Sequence, residues 1–184
     1  SSVDAKGGVV NATELPAGWG AERFIIVVMD PLPVTNIVNV SHWIGKEIAL
    51  YNPSQKSFVQ MRDDGGGSMS VLHWHSKAPS ELESSRDWER FLVVDGGHGK
   101  VCLFNQSHKR FVRVWVDASV NGGGGKRAHS KDLPHDWHME RFTMIDGGGG
   151  MIALHNSHHN RFMRLHKSSV DAKGGVVNAT ELPA

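Results

Sequence analysis

The sequence has one cysteine, Cys102, and one tyrosine among its 184 residues. A single thiol excludes a disulfide within the chain and any two-cysteine redox or zinc motif. It fits a reducing compartment such as the cytoplasm. No apolar run approaches the roughly 18 residues that a membrane-spanning helix needs. Neither sign of charge predominates: 20 Lys and Arg stand against 19 Asp and Glu, a net charge of +1. No long-range field therefore draws the chain to nucleic acid. The patterns G-x-S-x-G, H-E-x-x-H and C-x-x-C are absent. The glycine run at residues 122–125 is followed by Lys126 and Arg127, without the Ser or Thr and the helix of a phosphate loop. Catalysis and a bound cofactor are not expected. Residues 1–8 are polar and carry no basic-then-apolar leader, so they are not read as a signal peptide.

What is present is repetition, of two kinds. Residues 1–17, SSVDAKGGVVNATELPA, recur without change as residues 168–184, an offset of 167. Chance does not produce 17 identities in a row. Either near-identical domains stand in tandem, with this chain a fragment of the array, or the gene was cut and rejoined.

The second repeat is degenerate and occurs three times. Glu22-Arg23-Phe24, Glu89-Arg90-Phe91 and Glu140-Arg141-Phe142 each follow a tryptophan: Trp19, Trp88 or Trp137. A block ending L-x-N comes next, at Leu50/Asn52, Leu103/Asn105 and Leu154/Asn156. Eight residues beyond each leucine stands a phenylalanine, Phe58, Phe111 or Phe162. The glutamates are 67 and 51 residues apart, and 49 more would complete the 167-residue offset. Three units thus fill one period, at about residues 19–82, 83–133 and 134–182 of a single domain spanning 1–184.

Each unit reads as four short strands separated by glycine-rich turns, with no sustained helical period. The first strands are expected over 24–28, 91–94 and 142–145. The second and third flank the hairpin between Leu and Phe, and the fourth are expected over 69–74, 126–130 and 175–179. Twelve strands in threefold repetition close into a barrel with a hairpin cap, an all-β β-trefoil.

Internal symmetry separates structural residues from candidates for function. Trp19, Trp88 and Trp137 before the ERF triplets and Phe24, Phe91 and Phe142 within them are expected in the core, and the ERF glutamates and arginines as cross-strand partners. Asn52, Asn105 and Asn156 are read as hairpin residues, since asparagine tolerates the left-handed region and bonds its own backbone. Cys102 aligns with Ala49 and Ala153, so it reads as a small buried side chain.

Two features break the symmetry. One is basic: His108, Lys109, Arg110 and Arg113 of unit two, and His158, His159, Arg161 and Arg164 of unit three, line equivalent hairpins. Unit one has Ser57 and Gln60 in place of the arginines. Such a patch suits an acidic protein or a phosphate-bearing surface, with ordinary pairing to Glu as the alternative. The other is an insertion of 14 residues within 30–45, unusually apolar for a loop. It is expected to dock on a partner, with His42 and Trp43 as contacts, or else to fold back on the barrel.

The 12 histidines read as solvated side chains titrating near neutrality. His73 and His75 alternate on one strand, but no spacing completes a metal site. The sequons at Asn11, Asn39, Asn105 and Asn178 are candidate glycosylation sites.

The blocks LFNQSHKRFVR (residues 103–113) and LHNSHHNRFMR (154–164) resemble the repeat of fascin-like actin-crosslinking trefoils. The histidine richness is similar to hisactophilin. The resemblance implies a β-trefoil that binds actin or, when its histidines are protonated below about pH 6, an anionic surface. The Q-x-W signature of ricin-type lectins is absent. Trp43, Trp74 and Trp115, which have no threefold counterparts, nevertheless admit a carbohydrate-binding reading.

The duplicated ends carry the last expectation. A trefoil has one place for the fourth strand of unit three, and two identical segments fit it. Val9 and Val10, or Val176 and Val177, would be the spare strand's apolar residues. Three outcomes are open to the spare copy: to stay unordered, to lie along the outside as a linker stub, or to enter the same slot of a neighbouring copy head to tail, which is self-assembly.

Overall fold

A computed structural model describes residues 19–28, 38–63, 69–75, 78–116, 119–123, 126–127, 129–166 and 176–181. Twelve strands form one continuous antiparallel network. Unit one holds β1 (Ile25–Val28), β2 (Glu47–Asn52), β3 (Ser57–Asp63) and β4 (Met69–His75). Unit two holds β5 (Arg90–Gly97), β6 (Lys100–Asn105), β7 (Arg110–Val114) and β8 (Val120–Gly122). Unit three holds β9 (Thr143–Gly148), β10 (Met151–Asn156), β11 (Arg161–His166) and β12 (Val176–Glu181).

Within a unit each strand pairs with the next. Between units the phenylalanine after each Glu-Arg closes the ring. Phe91 is opposite Ile48, Phe142 opposite Val101, and Phe24 opposite Ile152. The fourth strands meet one another: Ser70 of β4 is opposite Asn121 of β8, and Leu72 opposite Val176 of β12. This is the β-trefoil.

The core follows the same rule of three. Phe24, Phe91 and Phe142 are joined by Ile48, Val101 and Ile152, and by Leu50, Leu103 and Leu154, all essentially without exposure. Alternate residues of the same strands point to the other face and build three satellite clusters. Each pairs a hairpin phenylalanine (Phe58, Phe111 or Phe162) with the small residue Ala49, Cys102 or Ala153. Cys102 is fully buried, and burial pushes its thiol up to about 12. It is a packing residue, as its alignment with two alanines implied.

Four expectations need correction. The fourth strand of unit two is Val120–Gly122 rather than 126–130: Trp115 N–H donates to Ser119 O and Val114 is opposite Val120, so pairing with β7 already begins there. Beyond this strand Gly123 N–H donates to Phe111 O, and Arg127 N–H donates to Lys109 O.

The tryptophans are not equivalent. Trp19 and Trp137 pack against satellite clusters, but Trp88 is 43% exposed. Trp88 lies one residue before its glutamate, whereas the other two lie three before theirs.

The arginines of the ERF triplets serve backbone carbonyls of neighbouring segments. Arg23 Nε donates to Gly147 O at 2.7 Å, and Arg141 Nε to Gly96 O at 2.9 Å. Arg23 and Arg141 also reach back to Trp19 O and Trp137 O. Arg90 Nη2 also donates to a backbone carbonyl, Glu83 O at 3.2 Å, and its Nη1 lies 3.6 Å from Glu47 across the strands, the one ERF arginine that pairs as expected.

The described part of the insertion folds back. Its short helix α1 (Val40–Trp43) drives Trp43 into the main core at 1% exposure, with Val38 and Val40 beside it. Gly45 N–H to Val93 O and Val93 N–H to Lys46 O tie its end to β5. An indole is more stable in the barrel than in water. Residues 29–37 lie outside the described residues.

Candidate functional site

The hairpin tips are set by three buried asparagines. Asn105 Nδ2 donates to the carbonyls of Asp87, Trp88 and Arg90 at 3.0–3.3 Å, and its Oδ1 accepts from His108 N–H at 2.9 Å. Asn52 binds Gly20, Ala21, Arg23 and Gln55 in the same way, and Asn156 binds His138, Met139, Arg141 and His159. These residues therefore clamp the turn before each first strand onto the following hairpin. The left-handed positions fall four residues later, at Lys56, Lys109 and Asn160. Asn105 is fully buried, so the folded chain offers no glycan acceptor there.

On this frame, His108 is half-buried with its ring 5.4 Å from Trp88, and Lys109 is exposed. Arg110 Nη1 reaches Gly122 O at 3.5 Å. Arg113 is held more firmly: Nε donates to Asn121 Oδ1 at 2.6 Å and its guanidinium lies 4.2 Å over Trp115.

In unit three, exposed His158 stacks on His138 at 5.9 Å and meets half-buried His159 edge-on at 4.7 Å. Burial, then the charges of His158 and Arg161, lowers the pKa of His159. Arg161 and Arg164 are half-buried on β11. The structure thus brings His138, His158, His159 and Arg161 together in one hairpin region.

Elsewhere, His42 Nε2 lies 3.3 Å from Lys46 Nζ and its ring meets Trp43 edge-on. Trp43, read as a contact, is in the core. Val176 and Val177 lie in β12, where their backbones oppose His166 and Leu165. The C-terminal copy of the duplicated segment therefore supplies the twelfth strand. Val9, Val10, Asn11 and the remainder of 1–17 lie outside the described residues. Trp74, His73 and His75 belong to β4. Among the described residues no group of three or more His, Cys, Asp or Glu could hold a metal ion, and no helix is long and apolar enough to cross a membrane.

One arrangement matches the pairing with Glu that the sequence offered as the alternative for the hairpin arginines. The glutamates of the three ERF triplets are buried, and Glu89 and Glu140 each meet a residue of the preceding unit. Gln60, Arg113 and Arg164 hold equivalent positions, two residues past the hairpin phenylalanines. Gln60 Nε2 donates to Glu89 Oε1 at 2.8 Å. Arg113 meets Glu140 beside Gly123, where an added Cβ would stand 2.7 Å from Glu140 Oε1 and 3.0 Å from Arg113 Cδ. Burial pushes the Glu140 carboxyl up to about 7 despite the pull of Arg113. The available signal was the pairing of a missing arginine with a Trp88 out of step.

The fold defines the chain as a β-trefoil, and solved structures agree. It is similar to the designed threefold-symmetric protein ThreeFoil, with a TM-score of 0.54 and 13% identity over 73% of this chain and 89% of that one. A Caenorhabditis elegans protein of unknown function is similar to the same degree, with a TM-score of 0.54 and 11% identity over 73% of this chain and 86% of that one. A Clostridium perfringens endo-β-galactosidase that releases GlcNAcα1-4Gal is similar over 74% of this chain but 29% of its own, with a TM-score of 0.51 and 12% identity. At such identities the likeness is one of fold. No family model matches the sequence, and no curated protein matches it.

Proposed function

We propose that the chain is a non-catalytic binding module whose repeated segment is the junction between successive trefoils in an assembly. One observation carries this reading. Residues of the C-terminal copy form β12, paired to β11 along six residues, while an identical copy leads directly into Trp19. In a head-to-tail array the first copy would be the twelfth strand of the preceding trefoil. Light scattering tests this on a chain lacking residues 168–184. Its empty slot should accept residues 1–17 of another copy, so its mass should grow with concentration. A monomer at every concentration would mean that the chain closes its own slot, and head-to-tail exchange would be wrong.

A second reading is favoured by the grouping of His138, His158, His159 and Arg161. The hairpins of units two and three suit an acidic protein surface such as actin, in keeping with the fascin-like resemblance, or an anionic membrane. Changing Arg110, Arg113, Arg161 and Arg164 to Gln should weaken actin co-sedimentation and flatten its salt dependence. Unchanged binding would remove the hairpins from the site.

A further inference from the structure

A half-open cleft of about 250 Å³ lies where unit one meets unit two, lined by Gln60, Ser85, Arg86, Asp87, Trp88 and Glu89. It sits at the one unit boundary where the threefold pattern replaces an arginine with glutamine. At the matching boundary between units two and three, Arg113 crosses to the buried Glu140 and stacks on Trp115. Between units three and one, Arg164 holds the equivalent position before Glu22. Leu165 N–H donates to Ala21 O there, as Val114 N–H does to Met139 O.

Gln60 is shorter and neutral. It donates to one oxygen of Glu89; the other, Oε2, has no hydrogen-bond partner among the described residues although Glu89 is only 1% exposed, and Glu140 Oε2, opposite Arg113, is likewise without one. Such an oxygen is costly to bury unless something arrives to bind it. Burial raises the Glu89 carboxyl above its ordinary value, and Arg86, Gln60 and Arg90 offset only part of that rise.

We propose that this cleft binds a guanidinium group carried on a flexible alkyl stem, which takes the place of the arginine that unit one lacks. Glu89 Oε2 would accept from the guanidinium, as a carboxylate does best from a planar donor. Trp88 would offer its exposed face for stacking. The chain already uses that stacking twice, with Arg113 4.2 Å over Trp115 and Arg127 4.3 Å over Trp137. Asp87 adds a second negative charge to the lining. Arg86, the one cation of the lining, lies 3.9 Å from Glu83 and its charge also acts on Glu89, so an entering guanidinium must share the carboxylate with it. Asn105 holds the carbonyls of Asp87 and Trp88, so the wall is rigid before a ligand arrives.

Calorimetric titration of the full chain with butylguanidinium and with its neutral isostere butylurea tests the site. Butylguanidinium should bind, and butylurea at least about tenfold more weakly, the loss of one charge-assisted contact. Gln60→Arg should abolish binding and raise the thermal midpoint, because its own guanidinium fills the cleft. Trp88→Ala should weaken binding severalfold at an unchanged midpoint. A blocked Gly-Arg-Gly peptide distinguishes the sources of the group. Tighter binding than butylguanidinium assigns the site to an arginine of a protein partner, and equal or weaker binding to a small guanidine. Absence of butylguanidinium binding, equal binding of butylurea, or undiminished binding to the Gln60→Arg chain would overturn the proposal.

Discussion

Phe142 and Val101 exchange both of their backbone hydrogen bonds across the boundary between units two and three, each 2.8 Å long. Phe24 and Ile152 make the same exchange between units one and three. The phenylalanine that opens a unit is thus both a core side chain and the backbone link to the previous unit. Phe142→Ala should destabilise the fold by about 3–5 kcal/mol through the cavity left in a fully buried position. Phe111→Ala, in a satellite cluster, should cost a similar amount. Trp88→Ala, on the surface, should stay within about 0.5 kcal/mol. Urea denaturation of the three variants checks the ranking.

The buried asparagines predict a second pattern. Asn105→Ala removes the amide group that serves three carbonyls, together with one acceptor, and leaves carbonyls without partners in a dry site. The loss should be about 2–4 kcal/mol by urea denaturation. Asn105→Asp should be no better tolerated, because a carboxylate cannot donate to the three carbonyls.

The symmetric part of this molecule was legible because its pattern repeats: the eight-residue step from Leu to Phe located three fully buried rings, and the alanines opposite Cys102 identified it as packing. The exceptions were harder to read. Trp88 looked like a core residue because it precedes an ERF triplet, but a two-residue change in spacing turns an indole out of the fold. Trp43 looked like a surface contact because an insertion has no symmetric counterpart, and only the folded barrel shows room for it. Asn52, Asn105 and Asn156 do bond their own hairpin backbone as expected, but the left-handed positions fall to Lys56, Lys109 and Asn160, because the first three side chains are needed at the clamp. The cleft beside Glu89 depends on a three-dimensional match between Gln60 of one unit and a carboxylate of the next, a relation that strand spacing alone does not display.

Glu140 makes stability depend on pH. Its folded-state value, about 7, is raised by burial above the unfolded value near 4.5. The folded state therefore holds the proton more tightly over that window. This contribution is fully present below about pH 4.5 and is lost as pH rises through about 7. Glu140→Gln should remove it. The stability of the original chain relative to this variant should fall between pH 4.5 and 7, by on the order of 2 kcal/mol. Thermal unfolding of both chains across this range checks the sign, and the difference cancels the titration of His155 and His159. A rising difference would contradict the assignment.

The most direct test of the account is which copy of the duplicated segment occupies the twelfth strand. Arg164 and Asn178 are opposite one another in the β11–β12 ladder, and Asn11 is the identical counterpart of Asn178. Facing residues of an antiparallel pair lie about 4.5–5.5 Å apart at Cα, within reach of a disulfide. Cys102 is fully buried and will not compete. Mild oxidation should cross-link the Arg164→Cys, Asn178→Cys chain within one molecule, rapidly and nearly completely. The Arg164→Cys, Asn11→Cys chain should give little internal cross-link, and any product should join two molecules. Rapid internal cross-linking of the second chain, with little in the first, would place the N-terminal copy in the slot and contradict the assignment of β12.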